Sequence, residues 1–109
     1  MKIKRNLIER IDIADFAERH DLTIVVRERG CNDIVAFNVK HAFYAYFEGA
    51  EVKEGCCMVS SYGDGADEDD AILSYAQSIS DKTLVFNAFS KDRREIKTPY
   101  LSYHPRKRR

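Results

Sequence analysis

The sequence predicts an α+β domain: an antiparallel sheet of three to five strands with two helices on one face, in the order αβββα plus a C-terminal strand or hairpin. Three observations predict it. Ile72, Tyr75, Ala76 and Ile79 recur at i, i+3, i+4 and i+7, the spacing of one helix face. Phe43, Ala45 and Phe47 alternate with Tyr44 and Tyr46, the spacing of a strand whose two sides meet different surroundings. The chain has 109 residues, 44% of them apolar, with only 2 Pro and 5 Gly, which suits a single core and short connections.

Taken in order, Asp12 is a helix N-cap with Asp15 three positions on, and Ile13, Phe16, Ala17 and His20 share one face of a short helix ending near Asp21. Residues 22–28 read as a strand, with Leu22, Ile24 and Val26 on one side. Residues 30–33 form a turn, and 34–39 are a short strand or an extended connection. Residues 43–48 are a strand, 49–55 a polar hairpin connection, and 56–62 the next strand. Gly63-Asp64-Gly65 breaks that strand, since two close glycines allow the positive φ of a sharp turn. A second helix spans 68–80 behind Asp67 as its cap. Residues 82–88 are a strand, 90–93 turn, and 94–98 pair back as an edge. Pro99 and Pro105 mark an irregular basic end. The domain is thus 1–103, with a basic tail at 104–109.

Charge is balanced overall, at 18 basic and 18 acidic residues, but unevenly placed. Residues 48–81 hold nine acidic side chains and one basic, whereas 82–109 hold nine basic and two acidic. Such a dipolar chain bears on partners more than on fold. The acidic segment Asp64, Asp67, Glu68, Asp69, Asp70 is the candidate protein contact, together with Gly63 and Gly65 of the preceding turn. Its plainer role is to offset the positive end of a helix. Calcium would need alternating oxygen ligands and a distal Glu, and that spacing is absent. The candidate phosphate or nucleic-acid residues are Arg93, Arg94, Arg106, Lys107, Arg108 and Arg109, with Tyr100 and Tyr103 near enough to stack on bases. The alternative role for the last four is a solvated end.

Enzyme chemistry has little to stand on. His20, His41 and His104 are isolated, and no nucleophile-elbow, Walker-type or zinc-protease motif occurs. Cys31, Cys56 and Cys57 lack a Cys-x-x-Cys spacing and read as reduced, structural thiols. The expectation is a non-enzymatic protein without cofactor or metal. No apolar run is long enough for a membrane span, and Asn6, Glu9 and Arg10 interrupt any secretory signal, so the expected place is the cytoplasm. Free strand edges and the acidic–basic dipole suit a homodimer.

Gly63, Gly65 and Ala71 match the Gly-x-Gly-x-Ser-Lys-Lys-x-Ala signature of the double-stranded RNA-binding domain, which the αβββα order also resembles. Glu68 and Asp69 stand where that family has lysines against phosphate, so the resemblance implies the fold and not the RNA-binding mode. Gly65, Asp67, Asp69, Asp70 and Ala71 are similar to the Gly-x-Thr-x-Glu-Glu-Ala pattern of HicB-type antitoxins, with Phe47-Glu48-Gly49 loosely in keeping. HicB proteins usually add a DNA-binding segment where this chain has a short basic tail. The broadest resemblance is to a group of small, mostly uncharacterised bacteriophage and prophage proteins. It runs through Gly63-Asp64-Gly65, Ala71-Ile72, Ile79-Ser80, Lys82-Thr83-Leu84-Val85 and Arg93-Arg94-Glu95-Ile96. It implies a phage-type origin without a mechanism. From these readings the expected function is a protein-interaction module that inhibits or redirects a host factor. The alternatives are a nucleic-acid binder using the basic end and an antitoxin-like partner of a small toxin.

Overall fold

Asp12 and Asp67 start the two helices as the sequence predicts, and the computed structural model, which describes residues 1–4, 10–29 and 42–105, shows how. Asp12 Oδ1 accepts from the Ala14 N–H at 2.8 Å, opening α1 (Ile13–His20). Asp67 Oδ1 accepts from the Asp70 N–H at 2.8 Å, opening α2 (Glu68–Ile79). Each carboxylate satisfies a backbone donor that a helix start leaves without an intrahelical partner. The readings of 30–33 and 34–39, and those of Cys31, His41, Arg106, Lys107, Arg108 and Arg109, fall outside the described residues.

Nine strands accompany the helices among the described residues: β1 (Arg10–Asp12), β2 (Ile24–Glu28), β3 (Phe43–Phe47), β4 (Ala50–Glu54), β5 (Cys57–Val59), β6 (Gly63–Gly65), β7 (Thr83–Phe86), β8 (Arg94–Lys97) and β9 (Tyr100–Ser102). They form an antiparallel sheet β2-β3-β6, an antiparallel sheet β5-β4-β7-β8, and a parallel ribbon β1-β9. The α+β class and the antiparallel sheets are as predicted. Three details differ.

The polar stretch expected to be a loop is mostly strand β4, and the connection shrinks to Gly55 and Cys56, with Gly55 at φ 62°. Val52 explains why: it is buried and pairs with Leu84 of β7, which anchors an otherwise polar strand. The strand therefore changes sheets at Glu48 and Gly49, where Gly49 adopts φ 78°. On the opposite arm residues 60–62 link β5 to β6. The three strands expected between the helices thus become β2 and two bent arms, β3–β4 and β5–β6.

Gly63 and Gly65 are not at a turn. They lie in β6, pair with Ala45 and Phe43, and neither has positive φ. Their missing side chains serve close approach. A Cβ on Gly63 would stand 2.5 Å from Tyr75 Cα and closer to Tyr75 N and Ala71 O, and one on Gly65 would meet Asp70 and Ala71. The backbone of α2 rests directly on β6.

The end of the domain is more ordered than Pro99 suggests. Tyr100–Ser102 pairs in parallel with Arg10–Asp12, so the first and last strands lie side by side. Ser80 at the end of α2 fixes this ribbon: its Oγ donates to Ala76 O (2.7 Å) and accepts from the Leu101 N–H (2.8 Å).

The core joins these parts through Phe47, whose ring meets Phe16 of α1 (6.2 Å) and Tyr75 of α2 (5.5 Å). Both helices therefore pack on the same side of β3. Ile11 and Leu101 of the ribbon, with Leu84 and Ile96 of the four-stranded sheet, complete the same buried cluster.

Candidate functional site

The acidic segment predicted as a contact separates into three environments. Gly63 and Gly65 are buried beneath α2, which removes them from the contact surface. Asp64 points to the other side of the sheet and forms an ion pair with Arg29. Asp67 is engaged as the N-cap. Glu68, Asp69 and Asp70 remain on the exposed first turn of α2.

What the sequence did not bring together is the start of α1. A groove of about 1030 Å³ lies between the N-terminal ends of the two helices, lined by Asp12, Asp15, Glu68, Asp69, Ile72 and Tyr103 among others. Asp12 and Asp69 are held in place: Asp12 Oδ2 accepts from the His104 N–H at 3.0 Å, and Tyr103 donates its hydroxyl to Asp69 Oδ1 at 2.9 Å. Burial first, then the hydrogen bond to Asp69 and the charges of Asp69, Asp12 and Glu68, push the Tyr103 hydroxyl up to about 12. Asp15 and Glu68 make no ion pair among the described residues. Two helix ends contribute together about one positive unit, too little to neutralise four carboxylates. The groove attracts cations, and its half-buried Ile72 with Tyr103 offers apolar contact. No three His, Cys, Asp or Glu among the described residues are grouped as a metal ion requires. Pro105 stands at its rim, immediately before the four tail cations.

Of the predicted basic candidates, the two among the described residues, Arg93 and Arg94, each lie beside acidic side chains. Arg93 donates from Nε to Glu95 Oε2 at 3.3 Å, and Lys53 pairs with the same Glu95 at 3.3 Å. These bonds, Lys53 first, hold the Glu95 carboxyl below its ordinary range. Arg94 borders a shallow cavity with Asp21, Glu48 and Asp92. Of the two stacking candidates, Tyr100 is 43% exposed, while Tyr103 is committed to Asp69.

A second surface was missed by sequence reasoning. On the face of β2-β3-β6 away from α2, Tyr44 and Tyr46 lie nearly parallel, with ring centroids 6.0 Å apart, and Tyr62 stands perpendicular to both. The Arg29 guanidinium sits 4.7 Å over Tyr44, and Arg27 Nε donates to the Tyr46 hydroxyl at 3.1 Å. The alternation of residues 43–47 placed the two tyrosines on one face; only the register Arg27↔Tyr44↔Asp64 shows what surrounds them. Among the described residues, Asp64 pairs with Arg29 and Glu48 lies near Arg27, so each arginine of this face has an acid beside it.

Cys56 and Cys57 also differ from expectation. Both are exposed at the β4–β5 turn rather than packed in the core, because the strand register sends Val52 inward and leaves the tip in solvent. His20 packs its ring 4.6 Å from Phe16. No helix among the described residues is long and apolar enough to cross a membrane. Neither a protein-family model, nor a curated protein, nor a solved structure matches the chain.

Proposed function

We propose that this chain is a non-enzymatic protein-interaction module that receives a basic segment of a partner protein in the groove between its two helix N-termini. The observation that supports the reading is the groove itself: four carboxylates around an apolar strip, two of them held rigid by Tyr103 and the His104 backbone, and two uncommitted. Fixed acceptors lose little entropy on binding, whereas the uncommitted pair can meet an incoming cation without breaking an existing bond. If the chain is of phage type, the partner is a host factor and the site of action the host cytoplasm. If it is of HicB type, the partner is a small toxin. The nucleic-acid alternative has fewer cations to use, since Arg93 is engaged by Glu95 and Arg94 is flanked by acids. It rests on Arg106 to Arg109 alone.

The test is fluorescence anisotropy of a labelled Lys/Arg-rich peptide carrying one or two apolar residues, read at about 50 and 200 mM salt, where exposed charge pairs differ in screening. Binding should weaken at least about fivefold in the Asp15→Asn/Glu68→Gln variant, the change that loss of about 1 kcal/mol produces. Unchanged affinity in that variant would refute the groove. Labelled duplex RNA, duplex DNA and single strands form the second arm, with a chain ending at Pro105 for comparison. Salt-sensitive binding that vanishes with the tail would favour the nucleic-acid reading instead.

A further inference from the structure

At the opposite end of α2 is a separate cavity of about 450 Å³, between the helix C-terminus and the β1–β9 ribbon. That volume falls within the range of small-molecule sites. Arg10 and Tyr100 are register partners in the parallel ribbon, so they occupy the same side of it, and Ser102 follows Tyr100 by two residues on that side. Lys82 comes from the turn after α2, and Gln77 from its last turn. None of the acidic groove's residues takes part.

The charges decide the ligand. Arg10 and Lys82 have no carboxylate partner among the described residues. The one acid at the cavity, Asp81, is occupied: Lys97 Nζ lies 3.1 Å from its Oδ1 and donates to its backbone carbonyl at 3.0 Å. The negative end of α2 is worth roughly half a charge, and Ser80 Oγ already caps one of its carbonyls, that of Ala76. Offsetting this helix end takes less than two full charges, and Asp12, two residues after Arg10 on β1, directs its carboxylate to the Ala14 and His104 N–H groups at the acidic groove. A surplus of positive charge therefore remains beside an aromatic ring that is 43% exposed.

We infer that this cavity binds a small phosphate-bearing anion with a planar ring, of the nucleoside monophosphate class. The phosphate lies between Arg10 and Lys82, whose donors form charge-assisted hydrogen bonds to its oxygens. The ring stacks on Tyr100, and the Gln77 amide, both donor and acceptor, meets its polar edge. This site is independent of the acidic groove, and either can fail without the other.

Amide chemical shifts of the full chain, titrated with AMP, adenosine and inorganic phosphate, test the inference. AMP should move residues 10, 77, 82 and 100–102 with a dissociation constant of about 1 mM or tighter. Adenosine and phosphate should each bind at least about tenfold more weakly. The Arg10→Gln/Lys82→Gln variant, changed only at exposed positions, should lose at least about tenfold in AMP affinity. Tyr100→Ala should reduce AMP to the affinity of phosphate alone. Absence of shifts at these residues with millimolar AMP overturns the site. So does AMP affinity unaffected by Arg10→Gln/Lys82→Gln. Phosphate binding as tightly as AMP overturns the ring-bearing class.

Discussion

Gly63 and Gly49 must be glycine for different reasons, and their replacement should cost different amounts. At Gly49 the backbone has φ 78° and a Cβ would meet nothing within 4 Å, so Gly49→Ala loses only the conformational preference, about 1 kcal/mol. At Gly63 a Cβ would strike the backbone of α2, which has no rotamer to move aside. Gly63→Ala should therefore cost about 3 kcal/mol or more. Urea denaturation of the two variants measures the contrast, and equal losses would contradict helix-on-strand contact. Thr98 carries a second residue-scale prediction. It is 2% exposed, and its Oγ1 donates to Ile79 O at 2.5 Å while accepting from the Lys82 N–H at 2.9 Å. Thr98→Val keeps the shape but strands both backbone groups, so stability should fall by about 1–3 kcal/mol. Tyr103 gives the pH prediction. Its hydroxyl moves from 10.0 up to about 12 on folding, so the stability it contributes is whole below pH 10.0 and is lost as pH rises toward about 12. Tyr103→Phe should reduce the alkaline dependence, leaving the part due to Tyr75, whose hydroxyl burial also pushes up, as read by denaturant midpoints across the range and by tyrosinate absorbance.

At the scale of elements, the two caps are alike in chemistry and unlike in load. Asp67 serves its helix alone, so Asp67→Ala should cost about 1 kcal/mol. Asp12 accepts from Ala14 with one oxygen and from the His104 backbone with the other, tying α1 to the last described residues. Asp12→Ala should cost about 2 kcal/mol, one bond to the helix start and one to the His104 backbone. Thermal or chemical denaturation orders the two variants. The caps and the α2 face were legible in the sequence because each depends on residues three or four apart. Strand β4 was not, because Ala50–Glu54 has one buried apolar anchor, Val52, and its identity as a strand depends on β7, some thirty residues away in sequence. Exposure of Cys56 and Cys57 follows from the same shift: once the turn contracts to Gly55 and Cys56, Cys56 lies at its tip and Cys57 opens β5 beside it.

For the whole molecule, closure depends on the parallel ribbon between the first and last strands. Leu101 and Ile11, paired in register, are both buried in the shared cluster. Leu101→Ala should destabilise the fold by about 2–4 kcal/mol and remove hydrogen-exchange protection from residues 10–12 as well as 100–102. Loss confined to 100–102 would show that the ribbon is not a unit. This ribbon also sets apart the two proposed sites, with the acidic groove at the start of α2 and the cationic cavity at its end.

The sequence by itself determined the class: helix faces, caps and alternating strands are set by short-range spacing, and these specify antiparallel sheets with two helices on one side. It also marked the first turn of α2 as acidic. Only the tertiary structure decided that Gly63 and Gly65 carry a helix rather than a turn, and that Asp12 and Asp15 join Glu68 and Asp69 across more than fifty residues of chain. It alone gathered Arg10, Lys82 and Tyr100 around one cavity. The physical reason is common to all three. Local spacing fixes which way a side chain faces, but what it faces is fixed by packing between segments far apart in the chain.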